Sequence, residues 1–541
     1  MHAPREGALN PRKERLGLVC LLALAFVVRA WKADQPIVEN YVGRQIPTAM
    51  VARNLDRHGS FLYPELDTGP FPSYFLVEPP VYELSVVALK RATGVPLEPA
   101  GRLLSALGMV LAAWGLYGLV RSREGGRVAL AALAAFTLFP VTIRYGRSFQ
   151  ADALMLGCCL SGLRCLQARV QGAGFGVFAL GWLLLATGLA LKVTSAYLLL
   201  PLVAAILPWR PRNLIWAGLA LLPAALWYAH AGRVLAHAGG SAAQAETLAT
   251  WLEALRPSAW LKGATYVLAA RFLTVRAFTP LGFALAAIGF FRMPRIDRLW
   301  WIWGASALSA LAVLVGKLHH EYYWLALAPL AAAGAGRAFV MLAEAPGRWG
   351  LPMAGTALIG LVACAGWQSA STWRNPPEWA HLSAAAAEVQ RCVPKGDLVI
   401  APEALLYYAD RRGFRLELDP NAARRAAREW GPNAESDLTE VCRHWKISND
   451  QEAVGLVLLD LEKAKTVYGS RCTFADVTGP FAGPRRTRLH QKLRDPALPM
   501  GQTLADRAGV VLIVGPGPAE SDEAESWRVS DQRRASAHVE R

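Results

Sequence analysis

The chain has 541 residues, of which 54% are hydrophobic and 18% are charged, and its mean hydropathy is +0.25. Soluble domains carry about 25% charged residues, so this composition, with long apolar segments over most of the first 370 positions, excludes an ordinary cytosolic protein and a disordered one. The net charge of +16 does not indicate nucleic-acid binding, because the arginines lie at the ends of apolar segments, where membrane topology explains them.

Eleven apolar segments are predicted as membrane-spanning helices, which need about 20 residues each, or fewer where end residues reach the interface. The first segment is preceded by Arg12, Lys13 and Arg15. It has Trp31 and Lys32 where cleavage of a signal peptide requires small residues, so we predict an uncleaved signal anchor. The eleven segments are 16–31, 101–120, 128–144, 149–167, 175–191, 194–209, 213–230, 279–292, 299–316, 322–342 and 351–370.

The distribution of arginine predicts the orientation of these helices. If the basic N-terminus is cytoplasmic, every loop predicted on that side is short and carries arginine, as the positive-inside rule requires. An odd number of spans then places the C-terminal part outside the cytoplasm. We therefore predict a multi-pass α-helical protein of the inner (plasma) membrane. Its cytoplasmic loops would be 121–127, 168–173, 210–212, 292–298 and 343–350.

The transmembrane domain is predicted to cover residues 1–371. Its first outer loop, 32–100, contains two candidate amphipathic helices, at 46–57 and 80–92. A second long outer segment, at about 231–278, has tryptophans and arginines of the kind found at a membrane–water interface. Both long segments therefore lie on the predicted outer side.

The C-terminal part changes in composition after residue 371. Strand-like and helical segments alternate over 372–515, which predicts an extracytoplasmic α/β domain, and 516–541 has little to bury and is predicted to be a disordered tail. Among Cys392, Cys442 and Cys472, we expect the last two to form a disulfide if this part is exported. The strand-like segments are 397–401, 453–459 and 509–514, and the helical ones are 380–391, 421–430 and 434–446.

Ionisable side chains collect at the predicted outer boundary, beginning with the first outer loop. Asp34 and Glu39 follow the first span, with Arg44 and Arg53 nearby. Carboxylates can take a proton from an acceptor hydroxyl, and guanidinium groups can hold a phosphate by paired hydrogen bonds. The alternative is a solvated loop beside the membrane. Glu78, just before two prolines, is equally compatible with a carboxylate facing a helix N-terminus.

Asp152 lies about one turn inside a predicted span, where an ionisable residue is costly and by default indicates a function. Arg147, five residues earlier, is its predicted partner, and a purely structural ion pair is the alternative. Lys192 faces the outer side by the count of spans. A polar cluster at the start of another span lies at the same level: Lys317, His319, His320, Glu321, Tyr322 and Tyr323.

Other chemistry has little support in the sequence. Glu78 and His320 are weak candidates for ligands of a divalent metal, since two ligands far apart in sequence make a poor signal. No cofactor is otherwise indicated. There is no Walker A, GxGxxG or GxSxG motif, so nucleotide hydrolysis and serine-hydrolase chemistry are not supported.

Four features occur together and in order. They are an acid-bearing first outer loop, E-P-P-x-Y at 78–82, R-Y-G-R-x-F-x-x-D at 144–152 and H-E-Y-Y at 320–323. In this order they resemble the GT-C glycosyltransferases, in particular the protein O-mannosyltransferase and lipid A aminoarabinose transferase group. The resemblance covers roughly 15–345, and the segment at 407–414 is similar to one in the extracytoplasmic domain of bacterial members.

The resemblance implies a GT-C-like bundle of about eleven transmembrane helices that uses polyprenyl-phosphate-linked sugars as donors, with its active site on the outer membrane face. It also implies a catalytic aspartate in the first outer loop, often in an Asp-Glu pair. No such pair exists here, because Asp34 is followed by Gln35 and Glu39 by Asn40. Asp34 is the first choice for the catalytic base and Glu39 the second.

The resemblance assigns further roles by position. The family's glutamate before the Pro-Pro helix corresponds to Glu78, and its aspartate at the start of a span corresponds to Asp152. Some members have a lysine that holds phosphate where this chain has Pro79. Phosphate binding would therefore fall to Arg44, Arg53, Arg147 or Lys192. The substrate pocket is predicted to contain Glu78, Tyr82, His320, Glu321 and Tyr322.

The predicted function is transfer of a sugar from a polyprenyl phosphate to a lipid, glycan or protein acceptor outside the cytoplasm, by inverting displacement. The main alternative is a secondary transporter, whose fold usually has two related halves and broken helices at the midplane. No internal repeat is visible in this sequence, and its polar groups collect at the outer boundary. A non-catalytic membrane scaffold or sensor is the other alternative.

Overall fold

The computed structural model describes part of the chain: residues 10–39, 42–69, 72–207, 210–293, 298–318, 320–376, 379, 382–383, 386–387, 390, 395, 397–400, 403–414, 473–476 and 511–516. The chain divides into two compact units. The first unit comprises Met1–Pro64, Leu76–His237 and Glu246–Asn375, and the second comprises Glu65–Phe75, Ala238–Ala245 and Pro376–Arg541.

Helices make up most of the described residues up to 375. The α-helices are α1 Pro11–Ala30, α2 Val42–His58, α3 Val81–Thr93, α4 Leu97–Glu124, α5 Gly126–Leu138, α6 Pro140–Tyr145, α7 Asp152–Val170, α8 Phe175–Leu191, α9 Leu199–Pro201, α10 Pro211–Ala220, α11 Leu222–Ala238, α12 Ala242–Ala254, α13 Gly263–Arg271, α14 Pro280–Phe291, α15 Arg298–Val313, α16 Ala328–Ala343 and α17 Gly350–Ser369. The 3₁₀ segments are Val193–Leu198, Pro257–Leu261, Val315–Lys317, Glu321–Leu327 and Ala370–Trp373, and π-helical turns lie at Leu202–Ile206 and Phe272–Ala277.

Helical structure is found at each of the eleven predicted spans, and the two helices predicted in the first outer loop are α2 and α3. By length and composition, however, only four described helices could cross a membrane, or up to six if each bent pair counts as one span. Several predicted spans are short or interrupted, because proline begins a new helix after α5 and 3₁₀ and π turns break the segment after α8. The count of eleven therefore stays a prediction. The four helices are Leu97–Glu124, Asp152–Val170, Glu321–Ala343 and Gly350–Trp373.

Close helix packing places the first residues of α7 beside Gly108 on α4. A Cβ atom added at Gly108 on α4 would lie 2.7 Å from the backbone of Leu154 on α7, and one added at Gly157 would collide with the Gly108 carbonyl. Small residues at such crossings let two backbones approach within a membrane. Gly289 and Gly334 allow the same approach between α14 and α16.

The described part of the second unit contains a four-stranded sheet. Its strands are β1 Asp397–Ile400, β2 Gly413–Phe414, β3 Thr473–Asp476 and β4 Val511–Pro516, in the order β2-β1-β4-β3. The pair β1–β2 is parallel, which requires a crossover, and the helix α18 (Glu403–Ala409) provides it. The other pairs are antiparallel.

Two predicted strands, 397–401 and 509–514, correspond to β1 and β4, whereas β2 and β3 were not predicted. The predicted strand 453–459 and the predicted helices 421–430 and 434–446 lie outside the described residues, as do the expected disulfide and the predicted tail beyond residue 516.

Candidate active site

A cleft in the first unit brings together the ends of several helices. Its volume, which includes space open to solvent, is about 440 Å³, and its lining contains Asp152, Lys192 and Tyr322. Asp152 is the first residue of α7, Lys192 directly follows α8, and Tyr322 belongs to the 3₁₀ segment before α16. The lining also contains apolar side chains, namely Met155, Leu156, Ala310, Leu311, Leu314 and Leu325.

Asp152 and Lys192 form a buried ion pair in this cleft. The Nζ atom of Lys192 donates to Oδ1 of Asp152 at 2.7 Å, and the two residues are only 7% and 3% exposed. The same ammonium group lies 4.3 Å from the centre of the Tyr322 ring, close enough for a cation–π interaction. The prediction that Arg147 is the partner of Asp152 is therefore wrong.

A second ion pair joins the first outer loop to the Pro-Pro helix. Nη2 of Arg44 on α2 lies 2.5 Å from Oε2 of Glu78, just before α3. Burial by itself would lower the pKa of Arg44, but the charges of Glu78, Tyr322 and Asp152 raise it above its ordinary value. These electrostatic interactions place Arg44 and Glu78 in the same neighbourhood as the cleft. Burial also raises the pKa of the nearby Glu83 to about 8, and the Glu78 charge adds to this shift.

A third cluster surrounds Glu321, next to Tyr322. Its carboxylate pairs with Nε of Arg144 at 2.9 Å and with Nε of Arg276. Arg144 is buried and also donates to the carbonyl groups of Gln368 and Arg276, at 3.1 and 2.5 Å. The Arg276 side chain is 45% exposed. Sequence reasoning missed Arg276, because only folding brings the outer segment beside Glu321.

Aromatic rings cover the same end of the cleft. The His320 ring stacks on Tyr322 with centroids 5.5 Å apart and an angle of 7° between planes. Tyr322 and Tyr323 lie 4.5 Å apart, and Tyr145 approaches Tyr322 edge-on at 5.9 Å. The predicted grouping of His320, Glu321 and Tyr322 is thus present in one place, and the Tyr322 ring faces Lys192.

Glu39, the second choice for the base, has a structural partner. Its two carboxylate oxygens accept from Nη1 and Nη2 of Arg102 at 2.5 and 2.7 Å, and both side chains are buried. Arg102 also donates to the carbonyl groups of Gln35 and Pro36. Because both oxygens of Glu39 are occupied by a buried guanidinium, we interpret this pair as the anchor of the first outer loop.

Arg147 is wholly buried and anchors the same loop from another side. It donates to the carbonyl groups of Trp31 and Lys32 at 3.1 and 2.9 Å, and to that of Thr372. Its two Nη groups are thus bound to backbone carbonyl groups, whereas its buried Nε–H has no hydrogen-bond partner within the described residues. The predicted role in phosphate binding stays a prediction. Asp34 lies in the turn that Arg147 anchors, but its side chain is exposed, and it does not line the cleft.

Two other predicted site residues lie apart from the cleft. Tyr82 is wholly buried between α3 and α4, where its hydroxyl donates to the Gly101 carbonyl at 2.9 Å. Arg53 and Arg44 are both on α2, but nine residues of α-helix turn the chain to the opposite face and advance it about 13 Å. One phosphate group therefore cannot bind both arginines directly.

The two predicted metal ligands each have another partner in the structure. Glu78 accepts from Arg44, and His320 stacks on Tyr322. Within the ranges that the structure describes, no three His, Cys, Asp or Glu side chains come together in a manner that could hold a metal ion.

Residues 77–229 match the family model described as dolichyl-phosphate-mannose-protein mannosyltransferase. No curated protein matches the chain by sequence. Among solved structures, ArnT from Cupriavidus metallidurans in the apo state is 13% identical, with a TM-score of 0.52, and the match covers 85% of this chain and 92% of that chain. The arabinofuranosyltransferase AftD from Mycobacteria is 15% identical, with a TM-score of 0.52, and the match covers 96% of this chain and 41% of that chain. ArnT bound to undecaprenyl phosphate is 14% identical with a TM-score of 0.49, and covers 75% of this chain and 86% of that chain.

These comparisons confirm the resemblance to the GT-C glycosyltransferases. The two structures with TM-scores of 0.52 show that the chain has their fold, and the family match covers Glu78, Asp152 and Lys192. Together with the apolar helices, this fold makes the chain an integral membrane protein.

Proposed function

We propose that the chain is a glycosyltransferase that moves a sugar from a polyprenyl-phosphate donor to an acceptor outside the cytoplasm, with inversion at the anomeric carbon. The observation that carries this proposal is the buried Asp152–Lys192 pair in a cleft whose lining combines these two charged groups with apolar side chains. A lipid phosphate sugar likewise combines a charged head with an apolar chain. The description of the matching family model also names a lipid-phosphate-linked sugar.

Lys192 and Arg44 are the cations proposed to hold the donor phosphate. Lys192 carries three donors and a compact charge at the cleft wall, and Arg44 offers a planar guanidinium suited to phosphate oxygens. Arg276 is a third candidate, because its side chain is exposed beside Glu321. As the sugar leaves, negative charge develops on the phosphate, and fixed cations stabilise that charge more than they stabilise the bound donor.

Asp152 is proposed as the base that takes the acceptor proton. It lines the cleft, and its Oδ2 atom makes no hydrogen bond within the described part of the chain, whereas Glu39 is held at both oxygens. The acceptor oxygen would attack the anomeric carbon while the bond from that carbon to the phosphate oxygen breaks. The electron pair goes to the phosphate and the hydroxyl proton to Asp152.

Transfer of label from a radiolabelled polyprenyl-phosphate sugar tests this proposal. Membranes that contain the chain should transfer label from at least one donor in a panel of hexosyl and pentosyl polyprenyl phosphates. Membranes with Lys192→Met, at equal protein level, should transfer about 10²-fold less, as expected for loss of a charge that acts on the transition state. Equal transfer by both preparations, or none from any donor, would contradict the proposal.

The proposed site of reaction also predicts a membrane topology. With the N-terminus cytoplasmic, alkaline phosphatase fused after residue 400 should be active, and the same enzyme fused within 121–127 should be inactive, because it folds only outside the cytoplasm. The reverse pattern would place the cleft on the cytoplasmic side and would contradict an extracytoplasmic acceptor.

A further inference from the structure

Three carboxylates in and around the cleft are paired with cations. Asp152 accepts from Lys192, Glu78 from Arg44, and Glu321 is held by Arg144 and Arg276. In the site without substrate, the ammonium group of Lys192 is therefore bound to Oδ1 of Asp152.

Lys192 is placed so that it can change partners. Its backbone directly follows α8 in an extended conformation, with φ −160° and ψ 103°. The ammonium group is connected to this backbone by a flexible four-carbon side chain. Its ammonium group donates one hydrogen bond to Asp152 and also faces the Tyr322 ring. A phosphate group that enters beside Tyr322 would compete with Asp152 for the same ammonium.

We infer that binding of the donor phosphate opens the Asp152–Lys192 ion pair and thereby activates Asp152, so that donor must bind before the acceptor can be deprotonated. This inference rests on the proposed function. Lys192 turns its hydrogen bond from Oδ1 of Asp152 to a phosphate oxygen, and Asp152 keeps its negative charge without its partner. It then becomes a stronger proton acceptor.

The transfer of the Lys192 hydrogen bond from Asp152 to the phosphate determines when the acceptor hydroxyl can lose its proton. While the sugar is still attached, the phosphodiester carries one negative charge, and this charge grows as the bond to the anomeric carbon breaks. Lys192 is thus drawn further toward the phosphate at the moment when Asp152 must accept the hydroxyl proton. Without a donor, Lys192 stays on Asp152, and an acceptor hydroxyl keeps its proton.

Calorimetric binding of methyl farnesyl phosphate to the purified full-length protein tests the exchange. This probe is a lipid phosphodiester with one negative charge, and inorganic phosphate and farnesol separate the contributions of charge and chain. If Asp152 competes with the phosphate for Lys192, Asp152→Asn should tighten binding by about 5- to 10-fold. Lys192→Met should weaken binding by about 10-fold or more. The double variant should bind like Lys192→Met, because no ammonium is left to compete for.

The unchanged protein provides a second measurement, which does not depend on folding of the variants. Titration in two buffers with different ionisation enthalpies should show that methyl farnesyl phosphate binding takes up a fraction of a proton, since freed Asp152 gains proton affinity. Asp152→Asn should show no uptake. Asp56→Asn serves as the matched control, because Asp56 pairs with Lys90 and Arg91 between α2 and α3, and it should bind like the unchanged protein.

The outcomes distinguish the two proposals. If the diester binds but Asp152→Asn binds equally or more weakly, or if the unchanged protein takes up no proton, the exchange is wrong and the proposed function stands. If the unchanged protein binds neither the diester nor inorganic phosphate, both are wrong. Binding of inorganic phosphate and the diester with equal affinity would show an anion site without a lipid donor, and would also overturn the inference.

Discussion

Asp152→Asn is expected to lower the rate of sugar transfer by about 10²- to 10⁴-fold, which is the usual contribution of a positioned general base. The amide keeps the shape of the side chain and can still accept a hydrogen bond from Lys192, but it cannot take a proton. Asp152 is expected to be the base because it lines the cleft beside Lys192 and Tyr322. The measurement is transfer from the labelled donor at matched protein level.

Asp34→Asn is the control for this result, because sequence analysis favours Asp34 as the base and the structure exposes it in a turn. A surface substitution of this kind changes stability by less than about 0.5 kcal/mol, and we expect transfer to stay within about twofold of the unchanged protein. A large loss with Asp34→Asn and near-normal transfer with Asp152→Asn would return the base to the first outer loop.

Arg102→Met should destabilise the protein by about 3–5 kcal/mol, the usual cost of removing one partner of a buried ion pair. Glu39 would keep a buried charge without its guanidinium, and the carbonyl groups of Gln35 and Pro36 would lose their donor. The expected result is a large drop in the temperature at which the detergent-purified protein loses its monodisperse peak, or no folded protein at all.

The double variant Arg102→Met with Glu39→Gln should recover part of that loss, because the remaining buried group is neutral. Arg91→Met is the matched control. Arg91 pairs with Asp56 at 2.9 Å, but its side chain is 61% exposed, so loss of this pair should cost less than about 1 kcal/mol. If Arg102→Met were no more harmful than Arg91→Met, the Glu39–Arg102 pair would not be the anchor of the first loop, and Glu39 would again be a candidate base.

Helix positions could be predicted from the sequence because they depend on local properties. A long apolar segment buries its side chains and satisfies its backbone hydrogen bonds within itself, whatever its neighbours are. The predicted span 175–191 therefore coincides with α8, and the predicted surface helix 80–92 differs from α3 by one residue at each end. The number of membrane-spanning helices is harder to predict from the sequence, because the bends at Pro140 and after α8 depend on packing against other helices.

The sequence was also sufficient to predict that Glu78, Asp152, Lys192 and Glu321 belong to one site. Charged side chains at the ends of apolar helices are costly unless they are used, and their order along the chain resembles a known enzyme class. That reasoning identifies residues by type and by their level in the membrane. It contains no information on which side chains meet across the bundle.

Only the tertiary structure decided the partners. Arg147 is five residues from Asp152 and was its expected partner, yet Asp152 pairs with Lys192, which follows a different helix. Glu39 was a candidate base until Arg102, from α4, proved to occupy both of its oxygens. The physical reason is that apolar periodicity determines a helix one turn at a time, whereas an ion pair forms between whichever helix ends the packing brings within hydrogen-bond distance.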